Sequence, residues 1–107
     1  MSDFKEMFKE LGKEVADMAV KEFKNNSGLV IKAMGNTLES SKMKMEQWMI
    51  AITTGDLKAE DIPTLLRGEI TLEKMEALKQ KGLSQARLDK FVNSVMDKTI
   101  SKILNQH

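Results

Sequence analysis

Leu38–Ile52 reads LESSKMKMEQWMIAI and holds the only tryptophan of the chain, Trp48. Extended backward, its apolar positions fall at Ile31, Met34, Leu38, Met45, Trp48 and Ile52, and Ser41 fills the one gap. The steps alternate between three and four residues, which is the spacing of one narrow helical face. A strand would need steps of two. Met, Leu, Glu, Lys and Gln dominate the stretch, and these side chains lose little rotamer freedom in a helix. Sustained heptad spacing can mark a coiled-coil seam, but over so short a length it fits one buried edge of a bundle. Trp48 is therefore expected to be largely buried against the first and last helices. Gly35-Asn36-Thr37 is the weak point of this helix. Gly in a helix interior costs about 1 kcal/mol relative to Ala, and Thr37 offers an alternative as the cap of a shorter helix starting at Leu38.

Upstream, residues 3–25 read as a first helix. Phe4, Phe8, Leu11, Val15 and Met18 form its narrow seam, with Met7, Ala16, Ala19, Val20 and Phe23 beside it. Asp3 or Ser2 is placed to cap it. Glu6 with Lys9, Glu10 with Lys13, and Asp17 with Lys21 have the spacing of surface ion pairs. The row Glu6, Glu10, Glu14 is interleaved with lysines and lacks a histidine, so it reads as a solvated face rather than a metal ladder. Lys24-Asn25-Asn26-Ser27-Gly28 breaks the pattern with residues that tolerate left-handed backbone. A short break between two amphipathic helices predicts an antiparallel hairpin. Leu29-Val30-Ile31 is locally β-prone and leaves a strand as the alternative there.

Downstream, Thr54-Gly55-Asp56 ends the long helix. Residues 59–67 read as a short helix with Pro63 in its first turn, where amide protons lack partners. Asp56, Glu60 and Asp61 lack the spacing and closing glutamate of a calcium loop. Residues 70–81 read as a fourth helix with Ile70, Leu72, Met75 and Leu78 inward, closed by Gly82. Ser84 caps a fifth helix over about 85–104, and Leu83 and Leu88 have the positions of a hydrophobic staple. That last helix is expected to bury Leu88, Phe91, Val92, Val95, Met96, Ile100 and Ile103. The expected fold is all-α: one domain over 1–107, a bundle of about five helices. A long N-terminal helical hairpin is followed by two short helices and one long C-terminal helix.

Composition limits function. The chain has 107 residues, 41% of them hydrophobic and 31% charged, with a net charge of +1. That size fits one domain, and that charge gives no long-range field. There is no cysteine, hence no disulfide framework and no thiolate metal site. Met1-Ser2-Asp3-Phe4-Lys5-Glu6 is charged from the start and has no signal-like apolar core. No apolar run reaches the length of a bilayer span. A cytoplasmic protein without a membrane span is the expectation. The only histidine is His107 and no phosphate-binding glycine motif occurs, so the common bases and nucleophiles are missing. The sequence predicts a non-enzyme, with no cofactor and no metal.

Two binding readings follow. The main one is a helical protein–protein interaction or assembly module, a homo-oligomer or a subunit of a larger assembly. Nine methionines suit both core filling and adaptable surfaces. The apolar residues outside the seams, with Phe23, Met43 and Met49 foremost, are the predicted partner interface. The alternative is DNA binding through a helix-turn-helix-like segment at 74–94. It would present Gln85, Arg87, Lys90 and Asn93, residue types that reach bases and phosphates. Lys74 to Lys102 holds seven basic and three acidic residues. Against this reading, Lys81 and Leu78 stand where such motifs want an apolar and a small residue. The first helix carries five lysines and six acids from Asp3 to Lys24, a balance that gives no attraction to an anionic membrane.

Overall fold

The computed structural model describes residues 2–70 and 76–105, with side chains for 4–70 and 78–105. The helical segments are α1 (Ser2–Phe23), α2 (Ser27–Thr54), α3 (Ile62–Glu69), α4 (Glu76–Lys79) and α5 (Gln85–Leu104). All are α-helical and no strand occurs among the described residues. Leu29-Val30-Ile31 is helical, and Val30 is fully buried. The expected count of about five helices is corrected to three that carry the bundle: α1, α2 and α5. Helix α3 has eight residues and α4 four. Pro63 fixes α3's start, and its last residues are Gly68 and Glu69 before extended Ile70. Leu72, Met75, Lys74 and His107 lie outside the described residues.

Helix α1 packs most extensively on α2 and next on α5; α3 touches both α5 and α2. The four elements thus close a ring in which the short α3 stands where a fourth long helix would be. One hydrophobic cluster runs through the ring, from Phe4 to Ile103. On α1 the buried row is Phe4, Met7, Leu11, Val15, Ala19 and Phe23. From Met7 onward it steps by four, which makes it an inclined ridge rather than a straight heptad seam. Phe8 and Met18, expected in the seam, are only half-buried.

Helix α2 is unbroken through Gly35, Asn36 and Thr37. Thr37 is no N-cap: it is buried, and its hydroxyl donates to the Ala33 carbonyl at 3.0 Å. The inward face is Val30, Met34, Thr37, Leu38, Ser41 and Met45. Trp48 corrects an expectation. It lies half-buried at the core's edge, while Met34 and Met45 are fully buried. Met49 and Ile52 lie at the same margin, each packed against the core from one side.

The joints explain the turns. Helix α1 ends where Lys24 takes φ +48°, and a single 3-10 turn leads into α2. Helix α2 ends at Gly55, φ +87°, whose amide donates back to Ile52. Gly82 adopts φ +85°. Ser84 then caps α5, its hydroxyl accepting from the Arg87 amide at 3.4 Å. Leu83 and Leu88 are both buried beside that cap. On α5, Thr99 rather than Met96 or Ile100 takes the central buried position.

Two outcomes follow. Met45→Ala should lower unfolding free energy by about 2–5 kcal/mol in urea melts, as large-to-small changes at fully buried sites do. Lys24→Gly should raise it by about 1 kcal/mol, because a side chain in left-handed backbone is strained and glycine is not. An unchanged melt for the second variant would show that Lys24 is not strained.

Candidate interaction surfaces

The predicted partner residues separate. Phe23 is buried, its ring edge-on to Phe91 at 5.4 Å and 81°. It holds the α1–α5 contact and is withdrawn as an interface residue. It sits on the same inclined ridge as Leu11 and Val15, which a heptad reading of α1 misses. Met49 is half-buried against the core. Met43 is 74% exposed. The residue to set beside it is Ile50, 55% exposed. Seven positions separate them, so they share the outward face of α2, about 10 Å apart. Val20 and Leu29 are also exposed but belong to the hairpin end, far along the helices from Met43.

Of the four residues of the DNA reading, three share the outward face of α5 and the fourth is turned to a neighbour. The Gln85 amide is engaged within its helix, donating to the Asp89 carboxylate at 2.6 Å. Arg87, Lys90 and Asn93 are exposed. Lys90 borders a cleft against α1 with Met18, Lys21, Glu22, Phe91 and Ser94. Asn93 borders a groove against α3 with Pro63, Arg67, Met96, Asp97 and Ile100. Three positions apart on one helix, the two are nonetheless neighbours on its outward face, between the two depressions. The helix preceding Gly82 is, in the described residues, the single turn α4.

Electrostatics concentrate where sequence reading placed a solvated face. Lys102 pairs with Glu10 at 3.1 Å and with Glu14, and Lys98 reaches Glu14 at 3.3 Å. Glu10 therefore serves α5 rather than Lys13. The signal was present as Glu10 and Glu14 one turn apart on α1, opposite Lys98 and Lys102 one turn apart on α5. The Lys102 ammonium holds the Glu14 carboxyl below its ordinary range against the opposing effect of burial, with Lys98 adding to it. Glu14 in turn raises Lys102, again against burial. A second link joins α3 to α2: Glu69 accepts from Lys44 at 2.9 Å and lies 3.5 Å from the Ser41 hydroxyl.

Among the described residues, no group of three His, Cys, Asp or Glu side chains is placed to hold a metal ion. Asp61 accepts the Lys58 amide at 3.0 Å, and Asp56 accepts the Thr54 hydroxyl at 3.0 Å. No described helix is long and apolar enough to cross a membrane. Comparison with models of known families, with curated proteins and with solved structures finds no match to this chain.

The α1–α5 ion pairs give a pH signature. Because Glu14 is depressed in the fold, its contribution is present above the ordinary value of 4.5 and is lost as pH falls below it. Both partners are partly solvated, so the pairs are worth no more than about 1 kcal/mol. Glu14→Gln should lower stability at neutral pH by about 0.5 kcal/mol. The gap should close below pH 4.5 and in high salt. Acid melts in which wild type and variant stay equally far apart would contradict it.

Proposed function

We propose that this chain is a non-enzymatic helical module for protein–protein interaction or assembly, with the outward face of α2 as its contact surface. The observation that supports it most is the pairing of Met43 and Ile50 on that face, both mostly exposed. An exposed isoleucine is ordinary taken singly. Two large apolar side chains two turns apart on one rigid helix match the anchor spacing of helix-on-helix recognition. Methionine also adapts its shape to a partner at low strain. Self-association fits the same geometry. An antiparallel two-fold contact of α2 with α2 would set Met43 of one copy against Ile50 of the other, as isologous contacts require.

DNA binding is the second reading. Its support is the exposure of Arg87 and Lys90 near the capped start of α5. The engagement of the Gln85 amide by Asp89 favours it less, since one side chain fewer is free to read a base.

The test is solution mass by light scattering at high micromolar concentration, alongside circular dichroism. Met43→Lys with Ile50→Lys should lower the mass while leaving the helical signal and the melt unchanged, because both side chains already face water. A wild type that is monomeric and binds no protein partner, or a variant with unaltered mass and binding, would retire the α2 surface.

A further inference from the structure

The seam between α1 and α5 changes character along its length. At one end Glu10 and Glu14 of α1 meet Lys98 and Lys102 of α5, charge matched to charge. Toward the other end Lys21 of α1 and Lys90 of α5 border one cleft, with Glu22 beside them. The lining there carries two lysines to one carboxylate. Neither lysine has an ion-pair partner among the described residues. Arg87, one helical turn before Phe91, is exposed and unpaired as well. Lys24, three positions after Lys21, is exposed too. It occupies left-handed backbone, although Asn25, Asn26 and Gly28 follow within four positions and tolerate that conformation better. Packing of α1 on α5 asks for none of this. A glutamate at position 21 or 90 would pair across the seam as the other end does.

Between the lysines the cleft is lined by Met18, Phe91 and Ser94 and has a volume of about 180 Å³. Pockets for drug-sized ligands run to roughly 300–1,000 Å³, so this one has room for a single side chain. We propose that the cleft is a socket for an acidic segment of a protein partner. One Glu or Asp carboxylate sits between Lys21 and Lys90, and an adjacent apolar side chain lies on Met18. Charge-assisted bonds from two ammonium groups supply the attraction, and exclusion of water by the apolar lining strengthens it. A nucleic-acid backbone fits less well. Phosphates repeat along a track and need a continuous basic surface. Here Asp89 and Asp97 interrupt α5 beyond the cleft. The socket rests on the interaction-module reading but not on the α2 surface.

The experiment is fluorescence anisotropy of the full chain with a short fluorescein-labelled peptide of glutamate and leucine, at about 50 mM salt. Saturable binding is expected, and a glutamine-for-glutamate version of the peptide should not bind. Lys21→Glu with Lys90→Glu should weaken binding by at least about tenfold. Lys21→Gln with Lys90→Gln gives the same reading with less disturbance of charge. Met43→Lys with Ile50→Lys should leave peptide binding unchanged, so a failure of the α2 surface and a failure of the socket are told apart. Three results would each overturn the proposal: no saturable binding, equal binding by the lysine variants, or binding by the neutral peptide. Tighter binding of a DNA duplex, abolished by the same lysine variants, would overturn it as well and assign the cleft to nucleic acid.

Discussion

The bundle depends on α2 remaining one helix through Gly35. Val30 and Met34 precede that residue and Leu38 and Met45 follow it, yet all four face the same core. A break or kink between the two pairs would turn one of them away from α1. Glycine in the helix interior costs about 1 kcal/mol. Burial of each large apolar side chain returns about 1.5–3 kcal/mol. Packing therefore decides the conformation at Gly35 against local propensity, and the two halves of α2 hold each other in register through the core they share. The remaining elements are placed relative to this spine. Helix α1 returns along it, α5 closes on α1, and the short α3 is tied to it through Glu69 and Lys44.

Much of this is legible in residue spacing. The glycine ends at Gly55 and Gly82, the Ser84 cap and the leucines around it follow from side-chain chemistry acting within a few positions, whereas the hairpin break falls where expected but turns on Lys24 rather than on an Asn or Gly. Periodicity identifies the buried face of a helix, but it does not say where the neighbouring helices stop. Trp48 lies on the correct face of α2 and is still only half-covered. A heptad reading also assumes parallel axes. The ridge on α1 drifts around the helix, so Phe23, off the straight seam, becomes part of the core, and Phe8 and Met18 slide toward its margin. The fourth column of the ring is hardest to read. Short segments carry too few apolar positions for a period to emerge.

Surface chemistry is legible only where partners are close in sequence. Glu10 and Lys13 looked like a pair because they share a helix, but the longer-range partner Lys102 is the one in contact. Of the four residues assigned to DNA, three stay on one exposed face of α5, and the fourth, Gln85, is engaged by Asp89 one turn on. Exposure was the other unreadable quantity. Met43 and Met49 look alike as apolar residues outside a seam. About one and two-thirds turns around α2 puts the first in solvent and the second against the core.

The three buried hydroxyls have a consequence for how the bundle is registered. Thr37, Ser41 and Thr99 each donate to a carbonyl four residues earlier in their own helix, at 3.0, 2.9 and 2.7 Å. For Thr37 and Thr99 that need is met before the helices meet, while Ser41 also reaches toward the Glu69 carboxylate of α3 at 3.5 Å. The interior accordingly holds polar atoms that scarcely discriminate between axial positions of a neighbouring helix. A core of this kind is adhesive but only weakly directional, so small sliding motions along the axes cost little hydrogen bonding. Axial alignment then falls to shape and to a few solvent-facing charges, chiefly Glu14 with Lys102 and Glu69 with Lys44. Counterions screen such charges but not the apolar contacts beneath them. Ionic strength thus acts on the relative placement of the helices more than on their cohesion, and a salt-rich solution would loosen the alignment of the bundle before it dissolved the bundle itself.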